Sequence, residues 1–383
     1  MNWKLFIVLC FLRFTLCAQD TIQVKKIDFR GYIKDMQTLT FDEGFDQLIT
    51  NNLIHNRLNF KWDVSSVFRI GAEFRTRLYW GEQVRLTPDF ADQLSNSNEA
   101  IDMSIIWFEK ESMVLHTNVD RLWLEYKHKN VTARVGRQRI NWGIGSTWNP
   151  NDLFNTFNFL DFDYEERPGS DAVNVQYRMG PLSNIEVTAA ATSADEIEGI
   201  AAGRYFFNKA NFDFQLIAGW YFNDFTAGLG WTGSFGGTGF KGEMQHFFSS
   251  YDSARLLNLV IEADRVFGNG WYTSAGFLFN SQGLSQPVEN WQLVNFQLSP
   301  RNLMPTQWNL LYTIAKDITP LLNGSFGVVY APGTNLMILL PTIQYNIETN
   351  LDISLVWQSF FIDQSNEFKA LSHSAFIRFK WSF

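Results

Sequence analysis

The sequence predicts an all-β chain, folded as one antiparallel up-and-down β-barrel of about eighteen strands, with sixteen as the other count. Three observations predict it. Apolar and polar residues alternate with period two through almost the whole chain. Beyond residue 18, no stretch approaches the ~20 consecutive apolar residues of a membrane-crossing helix. The connections between alternating segments also sort by length, long at one end of the barrel and short at the other.

Composition narrows the classes further. The 383 residues are 46% hydrophobic and 16% aromatic against 18% charged, a balance that argues against a disordered chain. The net charge of -8 and the lack of any Lys/Arg-rich run exclude nucleic acid as a partner. Both cysteines, Cys10 and Cys17, lie near the start, so the rest of the chain holds no disulfide framework or cysteine zinc site.

Residues 1–18 read as a secretory signal: Lys4, an apolar stretch over 5–16 interrupted by Arg13, then Ala18 before Gln19 and Asp20. A membrane anchor is the competing reading, but the stretch is short and Arg13 breaks it. A lipoprotein-type cut before Cys17 is another, with Leu16 larger than the small residue expected there. Cleavage after Ala18 leaves 29 basic and 39 acidic residues, and residues 19–383 form a single domain.

The strands follow in order. A first strand is placed at 24–35. In 55–64, Leu58, Phe60, Trp62 and Val64 oppose Arg57, Asn59, Lys61 and Asp63. In 68–80, Phe68, Ile70, Ala72, Phe74, Leu78 and Trp80 oppose Arg69, Glu73, Arg75 and Arg77. Such alternation marks a strand with one apolar and one polar face. It recurs at 117–127, 131–140, 171–179, 184–191, 199–207, 212–222, 224–234, 238–248, 255–266, 270–280, 306–316, 321–331, 334–346, 350–361 and 371–383, although 199–207 and 334–346 alternate poorly. No linker or fixed-period repeat interrupts the series, and closing one sheet removes its exposed edges.

If the first strand starts on the periplasmic side, the long connections 36–52, 81–116, 141–170 and 281–305 all fall outside. The short ones, such as 64–67, 127–131 and 267–270, then fall inside. That sorting is the pattern of a barrel in the outer membrane, with lipid around it. Aromatic residues near strand ends, among them Trp80, Trp220, Phe222, Trp271, Trp308, Tyr330, Tyr345 and Trp357, fit girdles at the two interfaces.

The last segment places Leu371, His373, Ala375, Ile377, Phe379, Trp381 and Phe383 on one face. Here the chain resembles Gram-negative outer-membrane barrels, whose final strand ends in an aromatic residue; the resemblance implies that Phe379, Trp381 and Phe383 signal to the barrel-assembly machinery. A second resemblance covers 135–155, which reads V-G-R-Q-R-I-N-W-G-I-G-S-T-W-N-P-N-D-L-F-N. Its G-R-Q, W-G and N-P-x-D look like a segment of porin-like and alginate-export-like barrels, implying a passive channel. A homotrimer is a further expectation of that resemblance.

From the residues alone, Arg57, Arg75, Arg77, Arg121, Arg134 and Arg178 are expected on the lumen side, making one wall locally basic. Loop 141–170 carries the candidate constriction residues Trp142, Asn149, Asp152, Asp161, Asp163, Glu165 and Glu166. Folded inward, its acids would oppose the basic wall and bias ion passage; otherwise the arginines only pair with Glu73, Glu125 and loop acids. Gly136, Gly143 and Gly145 suit a strand turning into a loop. Asp161, Asp163, Glu165 and Glu166 could also hold calcium, against the commoner reading of solvated acids. No catalytic constellation stands out: the five histidines lack both metal spacing and an orienting acid. The expectation is a porin-like channel for small hydrophilic and, given the basic wall, anionic solutes, with no cofactor or metal. The competing function is a non-conducting barrel acting in surface assembly, adhesion or secretion through its loops.

Overall fold

A computed structural model describes residues 26–95, 99–161, 163, 166–192, 198–249, 255–289, 291, 294, 296–364 and 367–383. The signal segment, Cys10, Cys17 and Glu165 lie outside these residues. Period-two sequence becomes strand along nearly the whole of this length. The chain opens with β1 (Ile27–Phe41), β2 (Leu48–Asp63) and β3 (Phe68–Trp80), followed by two short helices, α1 (Glu82–Leu86) and α2 (Phe90–Ser95). Next come β4 (Ser104–Lys110), β5 (Met113–His128), β6 (Val131–Gln138), β7 (Ser170–Gly180), β8 (Ser183–Thr192), β9 (Glu198–Lys209), β10 (Phe212–Tyr221) and β11 (Asp224–Phe235). The series ends with β12 (Thr238–Phe248), β13 (Arg255–Val266), β14 (Trp271–Asn280), β15 (Trp308–Thr319), β16 (Leu322–Ala331), β17 (Leu336–Glu348), β18 (Leu351–Gln364) and β19 (Glu367–Ser382).

Each strand pairs antiparallel with its neighbours, and β1 pairs with both β2 and β19, so the sheet is closed. Eighteen of the strands make the ring; β3 pairs directly with β5. The short β4 lies on the other edge of β5, over 113–118, and β6 takes that same edge below it, over 122–128. The closing seam is completed by Phe383, whose backbone N–H and carbonyl both bond to Gly31, at 2.9 and 3.0 Å. Its ring lies where a side chain at Gly31 would stand, so only glycine fits beneath it.

Alternation sets the two faces. On β19, Leu371, Ile377, Phe379 and Trp381 are exposed on the outer surface while Ser374 is buried inward. Trp220, Trp271, Trp308, Tyr330, Tyr345 and Trp357 are likewise exposed on the outside. Phe222 is a correction: it adopts φ 54° in the turn after β10 and packs against an inner apolar cluster instead of an interface girdle. At the end bearing the short turns, Gly236 and Gly237 have φ 59° and 78°, and Ala210 and Asn211 have 55° and 63°. Two successive positive φ values make the tight hairpin turn whose twist matches the strands.

The expected connection 36–52 is also corrected. Strands β1 and β2 run on to Phe41 and back from Leu48, leaving only 42–47 as a loop. Polar residues on the outer face there, Asp35, Gln37 and Asn52, interrupt the apolar stripe and conceal the strands. The three remaining long connections, 81–112, 139–169 and 281–307, share one end of the barrel, and the first of them contains the unforeseen β4. Segments 199–207 and 334–346 are strands β9 and β17 despite their poor alternation. Their inward residues Ile200, Ala202, Leu336 and Ile338 are apolar because infolded loops pack on them.

Candidate constriction site

Segment 139–169 leaves the wall at the top of β6 and crosses the lumen. Gly136, with φ 108°, makes the kink at this point, and a side chain there would strike the Leu122 carbonyl. On one side the segment is fastened to two wall carboxylates. Glu243 of β12 accepts the backbone N–H groups of Ile144, Gly145 (2.6 Å) and Asn151 (2.9 Å). Glu262 of β13 accepts those of Ser146 (2.8 Å) and Thr147 (3.3 Å). Gln215 of β10 donates to the Trp142 carbonyl at 2.6 Å, and the Asn151 amide donates to that of Leu229 at 3.0 Å. Few proteins leave several loop N–H groups inside a barrel unpaired, since a buried unpaired donor costs about 1–3 kcal/mol.

Apolar contacts support the same fastening. Trp142 stands edge-on to Phe154 and packs with Ile140 and Leu153 against Ile200, Ile217 and Phe247 of the wall. Trp148 packs with Val260, Leu278, Leu303 and Met304, so the inward part of loop 281–307 joins this second cluster. Within the loop, the Asn149–Asp152 turn closes with an Asp152 N–H to Asn149 carbonyl bond of 3.2 Å. Asn149 sits over Gly143, which has no room for a side chain. Asp152 is fully buried, accepts the Trp142 N–H at 3.2 Å and pairs with Arg167. Burial is the main force on its carboxyl, outweighing Arg167 and raising its pKa to about 6.

The far side of the loop reaches β1 and β2. Asp163 lies 2.9 Å from Lys34 Nζ and 3.0 Å from His55 Nδ1. Burial opposes its ionisation, but the hydrogen bonds and charges of His55 and Lys34 prevail and hold it well below the ordinary carboxylate range. Glu166 lies 3.5 Å from Arg57. The loop is therefore held across the lumen between the β10–β13 and β1–β2 sectors of the wall. This settles where its acids point: Asp163 and Glu166 pair directly with basic groups, Asp152 pairs within its own loop, and Asp161 is exposed. Asp163 is taken up by Lys34 and His55, and among the described residues no acids, histidines or cysteines converge on a metal site.

The arginines of the wall have partners that alternation does not predict. A bulge opposite Glu73 and Phe74 turns both Asp120 and Arg121 of β5 inward. Asp120 then pairs with Arg57 and, at 3.1 Å, with Arg75. Arg57 also pairs with Glu73 at 2.6 Å, and Arg134 pairs with Glu125 while stacking on Trp123. Arg121 donates to the carbonyls of Asp120 and Arg167, tying wall to loop. Arg77 stacks on Tyr79, and Arg178 stands exposed at the lower end of β7. Strict period two allows only one of Asp120 and Arg121 to face inward, which is why Asp120 escapes a reading of the sequence.

Lys34 and His55, both buried lumen residues that receive the loop, carry no sequence signal that separates them from other inward positions. Exposed lumen cations Lys61, Lys127 and Arg178 sit on β2, β5 and β7. Lumen acids Asp213, Asp264 and Asp317 sit on β10, β13 and β15, across the ring. A cavity of about 310 Å³ beside the loop is lined by Leu153 and Phe154 of the loop and by Arg75, Asn118, Ile200 and Tyr221 of the wall and its turns.

This geometry has solved counterparts. No protein-family model matches the sequence, and no curated protein matches it. The fold is similar to that of OccAB1 of Acinetobacter baumannii, with a TM-score of 0.60, 8% identity, and coverage of 94% of this chain and 97% of the other. OccAB4 of the same organism gives 0.59, 8%, 94% and 98%. The outer membrane protein OprD of Pseudomonas aeruginosa gives 0.61, 7%, 94% and 93%. The fold is thus the Gram-negative outer-membrane barrel of the porin-like type. The alginate-export side of the resemblance finds no support among these structures.

Proposed function

We propose that this chain is a passive outer-membrane channel for small hydrophilic solutes, with segment 139–169 as its constriction. The observation that carries the proposal is the fastening of that segment across a polar-lined lumen at Glu243 and Glu262 on one side and at Lys34, His55 and Arg57 on the other. A loop so placed narrows the lumen while leaving a charged wall beside it, the condition for filtering by size and charge. Arg57, Arg75 and Arg121 serve chiefly to hold the wall and loop. Arg77, Arg134 and Arg178, with Lys61 and Lys127, supply the basic sector that favours anionic solutes. The channel uses no cofactor and performs no catalysis. Residues 1–18 export it and are removed, leaving residues 19–383 as one barrel domain, and the barrel-assembly machinery reads Phe379, Trp381 and Phe383.

The test is conductance in planar bilayers. Stable open-channel steps are expected, with a zero-current potential in a salt gradient that reports anion preference. Changing Arg77, Arg134 and Arg178 together to Glu should move that potential toward cation preference. An unchanged potential in folded channels removes the selectivity assignment. Silence after verified insertion favours the non-conducting interaction barrel.

A further inference from the structure

Across β14–β18 a groove of about 720 Å³ opens on the outer face of the barrel. Two residues that weaken a strand interior make it. Gly324 of β16 has no side chain, and only the tip of Ile318 comes near the place a Cβ would take. Pro341 of β17 has no N–H, and the β17–β18 register carries no pair at 340 and 341. Register sets Gly324 between Lys316 and Ile343, and Phe326 between Ile314 and Pro341. The gap at Gly324 is therefore the floor of the groove, and its neighbours are the walls.

The groove has two unlike ends. One row across the sheet runs Trp271, Lys316, Gly324, Ile343 and Leu355. Trp271 is the first residue of β14, beside the short turn 267–270, whereas Leu355 is the fifth residue of β18. The row thus leaves the short-turn interface and passes deeper into the apolar band. At the shallow end the Lys316 ammonium stands 5.0 Å over the Trp271 ring. Among the described residues Lys316 has no ion pair, and the Trp271 indole N–H has no acceptor. Arg265 of β13 lies at the same end, 5.5 Å over Phe267, and also has no acid partner among those residues. The outward positions of β13–β16 hold no Asp or Glu. The deep end is walled by Phe326, Pro341, Leu355 and Trp357.

We propose that this groove is a binding site for an anionic phospholipid of the periplasmic leaflet, its phosphate held by Lys316 and Trp271 and one acyl chain lying over Gly324. Short turns face the periplasm in an outer-membrane barrel, so the shallow end meets the headgroups of that leaflet. A lysine at this level lays its stem along apolar surface and extends its ammonium to the phosphate. The indole N–H supplies a second donor. A headgroup amine, as in phosphatidylethanolamine, finds no acid here and is repelled by Lys316 and Arg265. Phosphatidylglycerol carries hydroxyls in place of the amine and meets no such repulsion. The site lies outside the lumen and is separate from the channel reading.

The experiment uses the mature barrel, its folding confirmed by heat-modifiability, in native mass spectrometry with phosphatidylglycerol or phosphatidylethanolamine of identical chains. Phosphatidylglycerol should be retained about fivefold more tightly, the effect of one lysine at an anionic lipid headgroup. Lys316→Gln should remove that preference, and Gly324→Leu should weaken both lipids by filling the floor of the groove. Trp271→Phe keeps a ring beneath Lys316 and should weaken phosphatidylglycerol alone. A phosphatidylglycerol with a photoreactive acyl chain should label peptides of β15–β18. Equal retention of the two lipids, an unaltered preference in folded Lys316→Gln, or labelling elsewhere on the barrel overturns the proposal. So does a species of twice the monomer mass that excludes lipid, which means that a second chain covers the groove. Conductance is read separately, so loss of the lipid site is distinguishable from loss of the channel.

Discussion

Glu243 is a single carboxylate receiving three backbone N–H groups of a loop that arrives about a hundred residues earlier in the chain. Glutamine in its place keeps one acceptor oxygen and sets an amide N–H2 where the second one accepts, which leaves a buried loop N–H facing a donor. Glu243→Gln should loosen loop docking by about 2 kcal/mol. Larger and noisier single-channel conductance is the expected reading, and an unchanged conductance would mean that the loop is held elsewhere. Asp152 and Asp163 give the docking opposite responses to pH. Asp152 has a raised pKa of about 6 when docked, so the docked loop binds more protons between the ordinary carboxylate range and pH 6. Docking therefore strengthens as pH falls from neutrality through about 6. Asp163 has a lowered pKa, and its contribution is present above the ordinary range and lost only as pH falls below it. Conductance should drop on acidification from about pH 7.5 to about pH 5, and Asp152→Asn should make the drop smaller; an undiminished drop in Asp152→Asn assigns it to another group.

Among elements, β19 and the long connections carry the expectations that can be tested most directly. The strand follows its sequence pattern, with Leu371, Ile377, Phe379 and Trp381 exposed to the outside. Its last residue does more than extend a stripe, because Phe383 makes two backbone bonds to Gly31 and covers it. Deleting Phe383 should reduce the amount of heat-modifiable barrel, through the open seam and the altered assembly signal together. Normal yield and assembly kinetics would deny it both roles. For the connections, tags inserted near Ser95 and Gln286 should be detected on intact cells, because the long loops share the end that outer-membrane barrels turn outward. Detection only after permeabilisation would invert the barrel. Strand β4 was not legible, since it is short and lies inside a polar connection; it exists because β6 leaves the upper edge of β5 free. Arg137, fully buried at that junction, bonds Glu99 at 2.5 Å, Asp171 at 2.9 Å and the carbonyls of Val119 and Ile101.

At the scale of the whole molecule, a closed sheet divides the chain into two environments that ask for opposite residues. Lipid accepts the outer aromatics, and the lumen accepts the charges, so the same period-two pattern serves both. Where an infolded loop makes part of the lumen apolar, as at Ile200, Ala202, Leu336 and Ile338, the pattern fades although the strand remains. Where the outer surface is polar, as at Asp35, Gln37 and Asn52, it fades for the opposite reason.

The sequence by itself determined the fold class, a ring of about eighteen strands and the end at which the long loops gather. All of these follow from side-chain alternation and turn residues, which act between neighbours in the chain. Only the tertiary structure decided how the lumen is filled and which charges meet. The Asp163 contact with Lys34 and His55 spans more than a hundred residues, and the inward turn of Asp120 depends on a bulge against β3. Such pairings arise when a closed wall brings distant strands around one loop, and no local period encodes them.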